Sequence, residues 1–497
     1  MSLAKLVLLA WIPTVIYMFV LMKPRRAVMA AFIIGWLFLP VAIHGEDQSA
    51  LFKLKGFPNL EKGTVTSLVV LASVLVVDRK RLFSFRPHWL DIPIFLFLIA
   101  PLVSSLHNAE PNNQLGLYDG LSEMFGQFVI WGLPYIIGRV YFNDVESLRE
   151  LAIGVFLGGL IYIPICWWEI RMSPTLHGNL YGYFPATFRM QKRYGGFRPM
   201  GFMPGGLSVG MWMTVTALTG VWMWVSGALK RLKGLPVGLF VVPLVLTALL
   251  TKATGAALLL LAGLVILFAT RHLRTTLPLV AMMVLIIGYM GTRVTSQSTG
   301  EYLVNFVERV IDSDRAESLA FRFHNENLLA ERALERPVFG WGGWNRSRVY
   351  NEEGEDISTT DGLWIIVLGK TGFFGLSALT LTLLVPAVAL ICIVPAQRWK
   401  EPHIATVAVF ATCMVLHMAD NLLNGFPNPV FMMMNGAVMA MLTWRRAVLL
   451  APMGPPELTA PAAPTRRSGR RRAGQLDAYD KHPAPLRARP LTQGDFS

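Results

Sequence analysis

Positive side chains crowd residues 171–198, RMSPTLHGNLYGYFPATFRMQKRYGGFR. This stretch holds Arg171, Arg189, Lys192, Arg193 and Arg198 and no acidic residue after Glu169. Such a gathering suits an anion, above all a phosphate or diphosphate, because the planar guanidinium fork matches its oxygens. Pairing with acidic side chains of a distant polar insert, or with lipid phosphates, is the other reading. A second group, Arg322, His324 and Glu326, lies in DRAESLAFRFHNENLLAERALERP, residues 314–337. An Asp314/Glu317 start resembling a capping box, an apolar stripe through Leu319, Phe323, Leu329 and Ala333, and a stop at Pro337 predict an amphipathic helix here. His324 fits a surface histidine as well as an acid–base group, and nothing in its spacing makes it a metal ligand. Asp361, in STTDGLWIIV, stands where the next helix starts. Its carboxylate either caps free amides or faces a cavity as a proton acceptor.

The elements that hold these groups are read from apolar runs. Hydrophobic residues make up 54% of the 497, and charged ones 15%. Runs long enough to cross a ~30 Å hydrocarbon core recur, so the expected fold is all-α and polytopic. The runs fall at 3–21, 26–43, 63–77, 91–106, 121–138, 151–170, 204–227, 235–250, 254–270, 277–291, 361–394, 403–418 and 428–444, about 12–13 spans. They lack the alternation of a membrane β-barrel. Residues 1–291 then carry about ten spans, 292–360 form one large polar loop, 361–450 hold the last spans, and 451–497 form a tail.

Threading thirteen spans puts Lys23/Arg25/Arg26, Arg79/Lys80/Arg81/Arg86, Lys230/Arg231/Lys233, Arg271/Arg274, Arg398/Lys400 and Arg445/Arg446 on one side. Positive loops stay cytoplasmic, so the large loop and segments 44–62, 107–120, 171–203 and 419–427 are expected outside, and the C-terminus inside. The first run has only Lys5 ahead of it and no cleavage-site pattern before a soluble domain, so it reads as a retained span. The Pro-, Ala- and Arg-rich tail, with TRRSGRRRAG at its centre, reads as a disordered segment against anionic lipid. Nucleic-acid binding, the alternative for a net charge of +14, lacks aromatic interleaving.

Other leads are weaker. Cys166, Cys392 and Cys413 fall inside predicted spans and indicate no disulfide or metal framework. LGKTG at 368–372 lacks the first glycine of a phosphate-binding loop, since Trp364 stands there. Gly369, Gly372 and Gly375 instead fit a bend or close helix packing. VFGWGGWNRSRVYN after Pro337 suits a turn at the membrane surface. The strip Glu352, Glu353, Glu355 and Asp356 reads as solvated, with calcium as an alternative. Tyr181, Tyr183, Trp341 and Trp344 suit sugar stacking and interfacial anchoring equally. His417 and Asp420, in HMADNLLNGFPNP, form a further polar pair at a helix end.

The order of RYGGFRPMGF, LTKATGAALLLLAG, ERPVFGWGGW and TTDGLWIIVLGKTGFFG resembles the O-antigen ligase and O-antigen polymerase superfamily of integral-membrane glycosyltransferases. The likeness covers about residues 120–445. It implies a metal-independent enzyme without cofactor, in the bacterial inner membrane, that moves or polymerises glycan from an undecaprenyl-diphosphate-linked oligosaccharide onto a sugar hydroxyl of an acceptor glycan. Membrane lipid and proteins of polysaccharide export and chain-length control are the further partners implied, and no nucleic acid.

Arg193 or Arg198 and Arg322 match the family's arginines, with Arg189 and Lys252 as further diphosphate contacts. The family's histidine falls on Asp361, and Thr254 stands where arginine is common, two residues after Lys252. Both departures favour a polymerase or another polysaccharide-handling member over a typical ligase. Asp361 is then the first candidate base, with His324 and Glu326 behind it. A transporter or flippase for a lipid-linked glycan, and a non-catalytic scaffold, are the competing classes. Against transport stand the lack of an internal repeat and the collection of polar groups at one face.

Overall fold

A computed structural model describes residues 2–43, 59–109, 115–193, 195–295, 300–310, 313–343 and 345–451. For Arg189, Met190, Leu303, Asp314 and Arg315 it describes the backbone alone. The basic tail, Trp344, the Asp314 cap and most of segment 44–62 lie outside the described residues.

Each predicted apolar run coincides with helix. In order these are α1 (Leu3–Leu21), α2 (Pro24–Phe38), α3 (Lys62–Val77), the one-turn α4 (Arg79–Leu82), α5 (Ile92–His107), α6 (Leu117–Gln127), α7 (Leu133–Tyr141), α8 (Val145–Met172) and the short α9 (Leu176–Tyr181). There follow α10 (Gly206–Val225), α11 (Gly238–Leu250), α12 (Thr254–Phe268), α13 (Leu277–Val294), α14 (Glu301–Val310), α15 (Ser313–Leu334), α16 (Leu363–Ile393), α17 (Pro402–Asp420), α18 (Pro429–Trp444) and α19 (Arg446–Leu450). The chain is an all-α polytopic membrane protein. Among the described residues eight helices are long and apolar enough to cross a bilayer: α1, α5, α8, α10, α12, α13, α16 and α17. The lower count has local causes. Helices α3, α11 and α18 are apolar but short, α2 opens on Pro24-Arg25-Arg26, and the run at 121–138 divides into α6 and α7 around a wide π-type turn at Phe128–Gly132. Pro134, which has no amide to donate, falls in the first turn of α7, where none is needed.

Burial separates centre from periphery. The apolar window of α10 is 94% buried and that of α17 83%, against 28% for α1 and for α13, whose free faces must meet lipid. Helices α7 and α18 cross at backbone distance. A Cβ on Gly436 would lie 2.0 Å from the Tyr135 carbonyl, and one on Gly138 2.1 Å from that of Met433. Small residues permit such crossings in membranes. Gly436→Val should force the helices apart and cost about 1–3 kcal/mol. A thermal melt in detergent checks this, and an unchanged midpoint would contradict the crossing.

The basic loops share one end of the bundle. Arg25 pairs with Glu150 at the start of α8 (2.6 Å), Arg445 Nε donates to Asn143 O (3.3 Å) and Trp444 Nε1 to Arg86 O (3.1 Å). Arg398 Nη2 reaches Ala451 O (2.8 Å), Trp222 Nε1 reaches Trp399 O (3.3 Å) and Arg271 Nη1 reaches Val225 O (2.8 Å). The opposite end gathers the described residues of the segments from 171 to 205 and from 300 to 362.

At that second end α16 is broken. Gly372 takes φ 64°, ψ −163° inside it, and a Cβ there would sit 2.4 Å from the Val338 carbonyl. The segment after Pro337 fills the gap with main-chain bonds. Phe373 N donates to Pro337 O (2.7 Å), Phe374 N to Val338 O (3.1 Å), Trp341 N to Gly369 O (2.9 Å) and Gly342 N to Lys370 O (3.0 Å). The glycines of LGKTGFFG thus make a bend with a strap bound across it. Asn108 Nδ2 closes the joint on Gly340 O (2.9 Å).

Candidate functional site

Arg193, Arg198 and Arg322 come from segments more than a hundred residues apart and line one cavity of about 540 Å³. Arg193 ends the strand Lys192–Arg193, paired antiparallel with Gly196–Phe197. Arg198 follows that hairpin, and its amide donates to Gln191 O (2.8 Å). Its aliphatic stem lies over the first turn of α10, where a Cβ on Gly206 would be 2.0 Å from Arg198 Cδ. Glu169 fixes the same loop: its buried carboxylate accepts from Met200 N and Gly201 N, each at 2.7 Å, and from Leu176 N at 3.1 Å. The Glu169 carboxylate is therefore spent on backbone amides.

Helix α12 adds to the positive character. Thr254, Gly255 and Ala256, its first residues, line the cavity, and the N-terminal amides of a helix favour anions. Lys252, in the left-handed region at φ 55°, turns back so that Nζ donates to Arg193 O (3.4 Å) and packs over Gly196. Below this cationic rim the wall is apolar, with Leu258, Leu259 and Ala262 of α12 and Met282 of α13. Leu258 is 57% exposed, so α12 also presents a lipid-facing side here.

Among the described residues one carboxylate lines the cavity beside these cations, Asp420 at the end of α17. Asn424 Nδ2 holds its Oδ1 at 2.7 Å. Asp361 does not cap the next helix. Gly362 occupies the cap position of α16 with no side-chain bond, and the Asp361 carboxylate instead faces Arg322 Nε at 3.5 Å. The first amides of α16 are met by the turn that follows α17: Leu363 N donates to Asn424 O (3.1 Å) and Trp364 N to Asn421 O (3.3 Å). Arg322 is thus flanked by Asp361 on one side and the cavity on the other.

The remaining expected residues lie elsewhere. Glu326 is buried away from the cavity, where Tyr289 OH (2.7 Å), Arg293 Nε (3.0 Å) and Trp364 Nε1 (3.4 Å) all donate to it. Burial pushes its carboxyl above the usual carboxylate range, and the bonds from Tyr289 and Arg293 pull it back. His324 is exposed and does not line the cavity. The Arg189 side chain lies outside the described residues.

The aromatics serve as packing. Trp341 is sandwiched by the Arg332 and Arg336 guanidinium groups, 3.5 and 4.6 Å from its centroid. Tyr181 and Tyr183 pack edge-on against His177 and donate to Phe38 O and Val41 O. The side chains of His417 and Asn421, one turn below and just past Asp420, are buried without hydrogen-bond partners among the described residues. Asp356 of the acidic strip pairs with Arg348, and no group of three metal-ligating side chains occurs among the described residues.

His177 also sets a pH dependence. Its Nε2 accepts from Val41 N (3.2 Å), so the ring proton sits on Nδ1 toward Tyr183 O (2.9 Å). Burial drives its pKa from 6.5 to about 4, since a charged ring loses solvation and its acceptor role. A depressed histidine stabilises the fold above its unfolded pKa, and that share is lost as pH falls from 6.5 toward 4, by up to ~3 kcal/mol. His177→Gln should flatten the melting temperature over this window. Identical pH profiles would contradict the buried neutral ring.

Comparison with family models and with curated proteins finds no match for this chain.

Proposed function

We propose that the chain is a membrane glycosyltransferase of polysaccharide assembly, of the O-antigen ligase and polymerase type. It takes glycan from an undecaprenyl-diphosphate-linked donor. The donor diphosphate lies against Arg193, Arg198, Arg322 and the first turn of α12. Its lipid runs down the apolar wall of α12 and α13. As the anomeric C–O bond breaks, its electron pair leaves on the diphosphate, where the arginines stabilise the growing charge more than they stabilise the bound donor. The acceptor hydroxyl forms the new bond to the anomeric carbon and gives its proton to Asp420, the carboxylate that faces the cavity. Asp361 acts through Arg322, holding the guanidinium in place.

The convergence of three arginines on one partly apolar cavity carries this reading. The gathering of the basic loops at the opposite end supports an extracytoplasmic cavity and a cytoplasmic C-terminus, with the chain in a bacterial inner membrane. The test uses the full chain in lipid nanodiscs with an undecaprenyl-diphosphate oligosaccharide. Longer glycans and free undecaprenyl diphosphate, both lost in Arg322→Ala, are expected. Donor binding without release for any acceptor would replace this reading with transport or scaffolding.

A further inference from the structure

A second cavity, of about 520 Å³, lies at the end where the basic loops meet, between the start of α5 and the last turns of α16 and α18. Its volume is within the range of about 300–1,000 Å³ of small-molecule sites. Val385, Val388, Ala389 and Ile393 make its apolar wall, with Val388 45% exposed at the lip. His88 and Arg446 stand at its mouth. His88 Nδ1 accepts from Leu90 N (3.2 Å), so its ring proton is on Nε2 and free to donate. Trp89, 69% exposed, sits beside it as aromatic rings do at the headgroup level.

The carboxylates near the mouth are already bound, Asp91 Oδ2 also accepting from the His88 amide (2.7 Å). Asp91 is buried against Arg139 (2.6 Å) and Glu401 is held by Arg398 (2.9 Å), while Arg446 has no acidic partner among the described residues. Thr443, also on the wall, accepts from Arg139 Nη2 (2.9 Å), which links the slot to the buried pair beneath it.

We propose that this slot binds an anionic phospholipid of the leaflet on the basic side, one acyl chain against α16 and the phosphate on Arg446 and His88. A cationic mouth over an apolar slot between membrane helices selects a negatively charged amphiphile, and basic pockets between helices hold such headgroups. The site is separate from the arginine cavity and independent of the reaction proposed for it. An occupant would brace the junction of α5, α16 and α18, so it should also raise the melting temperature.

Native mass spectrometry of the delipidated full chain, titrated with phosphatidylglycerol and with phosphatidylcholine, tests this. Tighter retention of phosphatidylglycerol is expected, reduced about fivefold in Arg446→Ala. Ala389→Trp, which fills the slot, should abolish the tight binding, and Val388→Trp at the lip serves if that variant does not fold. Equal binding of the two lipids, an unchanged Arg446→Ala, or tight binding surviving the tryptophan would overturn the proposal.

Discussion

Arg322→Ala is expected to lower release of undecaprenyl diphosphate by about 10²–10³-fold, the usual cost of removing one donor aimed at developing negative charge. Arg322 lines the cavity and is held by Asp361, so it is positioned before a substrate arrives. Arg322→Lys keeps the charge but loses the fork, and should recover only part of the rate. The carboxylates separate in the same assay. Asp420→Asn should cost about 10²–10⁴-fold, the range of a lost general base, and flatten the acid limb of the pH–rate profile. Asp361→Asn should cost less and leave that limb in place. The reverse ranking, in proteins of equal melting temperature, would give the proton to Asp361.

Glu326→Ala should destabilise the protein by about 3–5 kcal/mol, because removing one partner of a buried ion pair strands the other charge. Arg293 is 3% exposed, and Tyr289 and Trp364 would lose the same acceptor. Replacing the pair together, Arg293→Met with Glu326→Leu, should recover most of the loss. The comparison needs only unfolding midpoints in one detergent. A single variant as stable as the parent would mean that α15 does not dock on α13 and α16 through this pair.

Much of this arrangement was legible in the residues. Apolar runs marked the helices, because a bilayer leaves few alternatives for a continuous hydrophobic stretch. The arginines of 193–198 stood out as a basic stretch with no acidic residue after Glu169, and Arg322 through the amphipathic helix and the family resemblance. The role of Glu326 was less visible, although a signal existed. Phe323, Glu326, Ala330 and Ala333 recur at three- and four-residue steps, and all are buried, so Glu326 falls within the apolar stripe and His324 off it. Asp420 was visible only as half of a polar pair with His417 at a helix end, and the docking of α17 beside α10 and α12 is what brings it to the arginines. The split at Phe128–Gly132 likewise depends on packing that no periodicity records.

The strap across the break at Gly372 bears on how this protein can change over time. Main-chain hydrogen bonds seat residues 337–342, and a backbone amide is the same whatever side chain it carries. Sequence along that stretch can therefore drift at Val338 and Phe339 more readily than at Gly340 and Gly342, which take φ 68° and 64° and where a Cβ on Gly340 would lie 2.5 Å from the Lys370 backbone. Selection would read the joint through the glycines on both sides of it, Gly372 in the break and Gly340 and Gly342 in the strap, which let the two chains touch.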